Sequence, residues 1–414
     1  MSDIGREVGR TGARRWGGLF YEEFLPELQG IRGVRVYEEM SSNDDVCGAI
    51  LFAIKMLIRQ ADWSVQPSGS EERDRDAADF VESCLHDMSS TWTDTVSEIL
   101  SFLTYGWSIH EIVYKRRMGR KKDPRLESKF DDGLIGWQKL PIRCQESLYE
   151  WEFDDCDNLT AFVQMPAPGF NVIRIPAEKL LLFRTESRKD SPEGRSILRT
   201  AYRSWYFKTR LQEIEGIGIE RDLAGFPVLV APEGVDVWAP ANANLLATCN
   251  QFVANIRRNA MEGLTIPAGW ELKLLTTGGS RQFDTSKIIE RYDTRIAMTV
   301  LADFLFLGHE RTGSWALSSD KTELFSMAIG AYLDTICEVF NRKAIPALLE
   351  VNGKHFADAA VPHLVHGDIE TRDLTQLSAF LKDMTGIGLI TPDDALEEYL
   401  REQAALPSKV DDDV

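Results

Sequence analysis

The sequence predicts an α+β protein with a sheet-rich front part, a long helical middle and a helical C-terminal part. Three observations predict it. Between Trp107 and Phe183, apolar residues alternate over short runs that Pro and Gly keep breaking, the pattern of short strands. From Ser191 onward, apolar residues recur at three- and four-residue steps, the period of amphipathic helices. Between two such helical stretches lies a compact insert of mixed character, from Phe226 to about Gly279.

Met1 to about Gly30 is a lead-in, basic then acidic, with Arg6, Arg10, Arg14, Arg15 and Trp16; a frayed terminus and a nucleic-acid arm are both open readings. Asn43 to Gln60 has helical apolar spacing (Val46, Ile50, Ile54, Leu57, Ile58), and Trp63 to Pro67 alternates like a strand. Glu71 to Met88 and Thr91 to Tyr105 read as two more amphipathic helices, and Trp107 to Lys115 as a strand. Short strands follow at Ile135–Leu140, Leu148–Phe153, Ala161–Gln164 and Leu180–Phe183.

A long helix is predicted from Ser191, as N-cap before Pro192, to about Ala224. On it Ile197, Ala201, Trp205, Lys208, Gln212 and Glu215 share a face that begins apolar and ends polar. Gly216 and Gly218 each weaken the distal half by roughly 1 kcal/mol relative to alanine, so a kink, close helix packing and an early end near Glu215 are all open. The insert reads as a strand, Phe226–Ala231, a helix, Asn244–Arg258, and a hairpin turning at Pro267-Ala268-Gly269 between Leu264–Ile266 and Glu271–Leu275. Ser286 to Phe306 is helical again, with Ile289, Tyr292, Ile296, Val300 and Phe304 on one face. Gly308 stands where a helix C-terminus takes positive φ. A polar loop carrying His309, Glu310, Arg311, Ser314 and Trp315 separates this helix from another, which opens with Asp320 and Glu323 in capping-box spacing and runs to Glu350. Helices at Asp373–Thr385 and Pro392–Gln403 and an acidic tail, Asp411 to Asp413, follow.

Composition narrows the function. With 414 residues, 43% of them hydrophobic, the chain holds enough apolar material for two or three domains. Forty-seven basic against 65 acidic residues give a net charge of −18, which argues against tight wrapping of nucleic acid, because each phosphate contact needs a cation. Six scattered cysteines without a C-x-x-C pair suit a reducing compartment and argue against a zinc site. The N-terminus has no apolar signal core, and no run approaches the roughly 20 apolar residues of a membrane span, so a soluble protein made in a cytosol is expected. The phosphate-binding G-x-x-x-x-G-K-[S/T] motif is absent: the single Gly-Lys pair, Gly353-Lys354, precedes His355. Gly216-x-Gly218 has Arg221 in place of the third glycine of a dinucleotide fingerprint, and follows a helix rather than a strand. His363-x-x-His366-x-Asp368 carries donors a metal would accept, although Pro362 argues against one helical face presenting them. No Ser/His/Asp or Cys/His arrangement stands out, and no cofactor is expected.

Five runs stand in a telling order: Asp44-Asp45-Val46 with Ala49-Ile50; Ala61-Asp62-Trp63-Ser64-Val65-Gln66-Pro67; Tyr105-Gly106-Trp107-Ser108-Ile109-His110-Glu111; Pro192-Glu193-Gly194-Arg195-Ser196; and Gln282-Phe283-Asp284. Through them, over roughly Asp44 to Tyr399, the chain resembles the portal proteins of tailed bacteriophages, the head–tail connectors, in their Mu-like branch. The resemblance implies a portal-type subunit without enzymatic activity, assembling as a ring, usually of twelve, at one capsid vertex. Double-stranded DNA is pumped through such a channel by a separate terminase ATPase and later leaves through it. Carried over by order, residues 1–190 resemble an N-terminal arm and α/β wing, 191–225 the first stem helix and 226–280 the small α/β clip. Residues 281–306 resemble the second stem helix, 307–319 the tunnel loop, 320–350 a long wing or crown helix, and 351–414 a C-terminal wing or crown with its tail. Implied partners are copies of itself, the terminase large subunit, major capsid and scaffold proteins, head-completion or adaptor proteins, and DNA held without sequence preference; no membrane is involved. Implied localisation is the virion, after synthesis in the host bacterial cytoplasm.

On that resemblance, His309, Glu310, Arg311, Ser314 and Trp315 are expected at the DNA channel, with Arg311 and His309 foremost; Trp315 has a second reading, as the anchor of its loop. Lys208, Arg210 and Arg221 are stem candidates for the channel, or partners of acids on a neighbouring subunit, since Glu213, Glu215 and Glu220 lie close in sequence. Two alternatives compete. A metal-dependent nuclease would use His363, His366 and Asp368; the other is an interaction protein, a scaffold or minor capsid protein, and of these a scaffold would be a long, low-complexity helical rod, which the Trp-rich α+β front half contradicts.

Overall fold

The computed structural model of the chain describes residues 9–121, 123–224, 226–254, 265–275, 284–299, 315–367 and 382. The chain divides into two compact units, one of Met1–Arg35, Leu51–Ser196 and Ser314–Val414, the other of Val36–Ile50 and Ile197–Gly313.

The first unit opens with a small hairpin, β1 (Arg15–Trp16) and β2 (Leu19–Phe20), joined by Gly17 and Gly18, both at positive φ as a two-residue hairpin turn requires. A helix that the sequence leaves unpredicted follows, α1 (Gly30–Asn43), and then α2 (Asp45–Arg59); residues 36–50, most of α1 and the start of α2, belong to the second unit, and the chain returns to the first at Leu51. Between these two helices the Asp44 carboxylate accepts the amides of Val46 and Cys47 at 3.1 and 3.0 Å, satisfying donors that the start of α2 leaves open. Next come β3 (Trp63–Gln66) and α3 (Glu72–His86), the latter started by a reciprocal capping box between Glu71 and Asp74.

Where the sequence predicts one helix over 91–105 there are two, α4 (Trp92–Ile99) and α5 (Ser101–Tyr105), the second closed by Gly106 at φ 92°. The single strand expected over 107–115 is likewise divided, into β4 (Trp107–Glu111) and β5 (Val113–Arg116), because the Ile112 amide turns aside to the Lys179 carbonyl at 2.8 Å. Then follow β6 (Ile135–Lys139), β7 (Ile142–Arg143), β8 (Leu148–Phe153), β9 (Leu159–Gln164), β10 (Ile173–Pro176) and β11 (Leu180–Arg184). They form antiparallel sheets in the orders β11-β4-β7, β10-β9-β8 and β5-β6. Trp107, Ile109, Trp151, Phe162, Ile175, Leu180 and Phe20 make a common core, in which Trp151 meets Trp107 and Phe162 edge-on with ring centroids 5.1 and 5.2 Å apart.

The expected helix start at Ser191 and Pro192 is not there. Residues 191–196 are irregular, and the helix of the second unit, α6 (Tyr202–Ala224), begins eleven positions later. Close backbone contact explains the shift. A Cβ on Gly194 would lie 2.2 Å from the Gly106 carbonyl oxygen, and one on Gly106 would lie 2.8 Å from the Arg195 amide nitrogen. The Arg195 amide also donates to Thr185 Oγ1 at 3.0 Å, so this segment is held to the strands around it and not to a helix. Two of the quoted sequence runs thus meet backbone to backbone, where only glycine fits.

In the second unit α6 runs through Gly216 and Gly218 to Ala224, so neither glycine ends it, and a Cβ at either would meet nothing within 4 Å among the described residues. Then come β12 (Phe226–Val230), α7 (Ala243–Ala254), β13 (Glu271–Leu275) and α8 (Thr285–Met298). The hairpin expected between 264–266 and 271–275 is replaced by a longer-range pairing: β13 pairs antiparallel with β12 over five residues, Phe226 opposite Leu275 through Val230 opposite Glu271. Gly269, at φ 89°, turns the chain into β13. Asp284 caps α8 by accepting the Lys287 amide at 3.3 Å, and α8 packs along α6.

Back in the first unit, α9 (Trp315–Val339) starts five residues before the predicted Asp320, so Asp320 is an interior helical residue and not an N-cap. It continues through a π-helical turn, Phe340–Ala344, into α10 (Ile345–Val351), which carries Pro346 in its first turn where proline is tolerated. A short α11 (Gly353–Phe356) and β14 (His363–His366) follow, β14 pairing with β3. Phe340 sits at a second aromatic centre with Trp92, Trp137 and Phe183. The helices expected at 373–385 and 392–403 lie outside the described residues.

Candidate functional site

The elements expected to shape a channel are α6, α8 and the segment between α8 and α9, and α6 has two unlike faces. Tyr202, Trp205 and Lys208 are buried, while Tyr206, Phe207, Ile214 and Ile217 are exposed large apolar residues. The sequence leaves Lys208 between the channel and an acid on a neighbouring subunit; here it pairs with acids of its own chain. Lys208 Nζ lies 2.9 Å from Asp44 Oδ2 and also pairs with Asp293, and its side chain is only 4% exposed. Burial alone would pull the ammonium pKa down, but the bonds to Asp293 and Asp44 outweigh it and leave the pKa above its ordinary value. Lys208 is therefore a fixed cation joining the α1–α2 junction, α6 and α8, and it points at acids of its own chain. Cys47 is fully buried next to this group, and burial, then the Asp44 charge, push its thiol far up, so it stays protonated.

Arg210 lies at the surface of α6. It stands 60% exposed, ion-paired with Glu213 at 3.0 Å one turn on, and its guanidinium lies 5.7 Å from the centre of the Tyr206 ring. Its hydrogen bonds to Tyr206 and Glu213 hold its pKa above the ordinary value. Arg221 belongs to the last turn of α6, but its side chain lies outside the described residues. So do His309, Glu310, Arg311 and Ser314 entirely, with most of the predicted 307–319 loop. Trp315 is the first residue of α9, so residues 315–319 are helical and not part of a loop; where its ring goes lies outside the described residues.

The candidate metal set does not converge. His363 and His366 lie three residues apart on β14, which sends their side chains to opposite faces of the strand. His366 Nε2 instead meets Asp334 Oδ1 at 3.2 Å, and Asp368 lies outside the described residues. Among the described residues no three His, Cys, Asp or Glu side chains could hold a metal ion, and no helix there is long and apolar enough to cross a membrane.

Two features escaped the sequence reading. Asn-Asp-Asp before an apolar helix is the local signal for the Asp44 cap; its second bond, to Lys208 164 positions away, has no local signal. The second is the density of Lys and Arg between residues 115 and 129, legible from composition alone.

A family model described as "Portal protein of Mu bacteriophage" matches residues 34–405. Among solved structures, the fold is similar to a chain in the virion of a native gene transfer agent particle, with TM-score 0.51 and 12% identity over 91% of this chain and 94% of that one. It is also similar to a chain in the neck of the native particle computed with C12 symmetry, with TM-score 0.50 and 12% identity over 96% and 97% of the two chains. At such identities the likeness is one of fold.

Proposed function

The chain belongs to the portal-protein family of Mu bacteriophage, and we propose from that premise that copies of it close into a ring around a channel for double-stranded DNA at one vertex of a capsid. The observation that carries this reading is the extent of the family match, residues 34–405, which takes in both compact units. The C12 symmetry of the neck assembly containing a similar fold supports a ring of twelve. In this reading α6 and α8 are the stem helices, and β12, α7 and β13 between them are the clip. Residues 9–196 and 315–367 supply the wing and the start of the crown. The exposed apolar residues of α6, Tyr206, Phe207, Ile214 and Ile217, suit packing against a neighbouring copy, which a strongly acidic chain needs in order to overcome its self-repulsion.

The channel would hold DNA without gripping it. A net charge of −18 repels phosphate, and scattered cations keep the barrier low. Arg210 is the exposed stem cation for that role, joined by Arg221 and by His309, Glu310, Arg311, Ser314 and Trp315 as read from the sequence. Lys208, paired with Asp44 and Asp293, adds no free charge to this set. The ring is a conduit and not a motor: the terminase supplies the work, and head-completion or adaptor proteins take its place at the clip once the head is full. Capsid and scaffold proteins would hold the wing, and the assembled protein would reside in the virion.

Negative-stain images of the purified protein test this directly. Closed rings with a central hole are expected. Monomers alone at high concentration, with metal-stimulated DNA cleavage, would overturn it.

A further inference from the structure

The loop between β5 and β6 is a basic island in an acidic chain. Residues 115–129 hold eight Lys and Arg against two acids, Asp123 and Glu127, while the whole chain carries 47 basic and 65 acidic residues. Two of the eight cations are buried and hold the loop in shape. Lys115 Nζ pairs with Asp87 Oδ2 at 3.1 Å and donates to the backbone carbonyls of Asp87 and Glu127. Asp87, just past α3, grips the far limb: its carboxylate accepts the Lys129 amide at 2.8 Å and the Ser128 hydroxyl at 2.7 Å. Burial would raise the Asp87 pKa, but these bonds and Lys115 hold it below the ordinary carboxylate value. Arg117 lies 3.9 Å over the Phe130 ring and 2.7 Å from Asp132 Oδ2, and the Gly119 amide donates to the Phe130 carbonyl at 2.8 Å.

Five of the other cations are exposed beside this locked base, and Lys122 lies outside the described residues. Arg116, Arg120, Lys121, Arg125 and Lys129 are exposed, Arg120 to 96% of its side chain. Arg125 is neutralised by two bonds to Asp123, and Arg120 reaches Glu127 only at 4.0 Å. Arg116 and Lys121 have no ion pair among the described residues. The loop therefore presents uncompensated charge on a fixed support, which saves the ordering cost that a floppy basic segment would meet on binding.

We propose that this loop is a docking surface for the phosphate backbone of double-stranded DNA, distinct from the stem and loop residues read as the channel. The inference rests on the portal reading for the source of that DNA, since such a ring stands at the vertex of a shell filled with it. With the balance of the chain acidic, attraction is concentrated at this loop, so the contact would orient neighbouring duplex and not wrap it.

Covalently closed circular duplex separates this surface from the channel, because a circle cannot thread a closed ring. The purified wild-type protein is expected to retain the circle in a gel shift at low salt, with affinity falling as salt rises. In R120E/K121E the slope of log affinity against log salt should shrink by about two, with the thermal melt unchanged. The control R188E/K354E, which changes net charge equally at exposed positions elsewhere, should keep the wild-type slope. A wild-type protein that does not retain the circle, or an equal loss in both variants, would overturn the proposal. Negative-stain images of the same samples keep the two readings apart: circles bound through Arg120 and Lys121 by protein that forms no rings would sink the portal reading and leave this one standing.

Discussion

Glu193 shows how one residue couples the core of the first unit to pH. Its carboxylate accepts a hydrogen bond from Trp151 Nε1 at 3.0 Å, and burial pushes its pKa up to about 7, with the Trp151 bond opposing the rise. A group whose folded pKa is raised contributes stability at pH below its unfolded value and loses it as pH climbs through the folded value. The first unit should therefore become less stable between about pH 4.5 and 7 through this residue. The loss is about 2 kcal/mol, less than the whole shift implies because the residue keeps part of its surface in water. Glu193→Gln keeps the acceptor for Trp151 and carries no charge. Thermal melts across pH 5 to 8 should show the wild type falling relative to E193Q, with E193Q the more stable at pH 8. Parallel curves would mean that the carboxylate reaches water more freely than its packing indicates.

At the scale of elements, the group Asp44–Lys208–Asp293 ties the junction of α1 and α2 to α6 and α8. Removing one member strands the others, which costs more than the group contributes relative to an apolar replacement. Lys208→Met should lower stability by about 3 kcal/mol, near the low end for a buried pair because Asp293 is partly exposed. Adding Asp44→Asn, which keeps the α2 cap, should recover part of that in a urea titration. A loss in K208M below about 1 kcal/mol would place Lys208 among solvated ion pairs instead. This group also marks the limit of what the sequence discloses. Local periodicity is enough to locate α2, α3, β3 and β8, because apolar spacing and caps are written into neighbouring residues. It misplaces the start of α6, because the Gly194 segment answers to Gly106, 88 positions earlier. It misses the pairing of β12 with β13 for the same reason, and it leaves Lys208 between the channel and an acidic partner because the chain does not say which acids will meet it. Motif order did better than local pattern: it reached the family that the match over residues 34–405 shows.

For the whole molecule, the decisive question is what covers the apolar face of α6. Ile214 and Ile217 stand 65% and 52% exposed one turn apart, on a helix whose opposite face already packs within its own unit. In a single chain these residues contribute little, and a polar replacement at an exposed helical position changes stability only slightly. In a ring each would lie against the next copy, and one substitution would be repeated at every interface around the circle. Ile214→Asp places a carboxylate where apolar packing is required, in a chain that already repels its copies with a charge of −18. The expected result is a monomer with the wild-type circular dichroism spectrum and melting temperature under dissociating conditions, but without rings in negative stain or by native mass spectrometry. Arg188→Glu, an equally exposed change outside α6, should leave the rings intact. Rings that persist in I214D would remove α6 from the interface and direct the search for the contact between copies to the first unit.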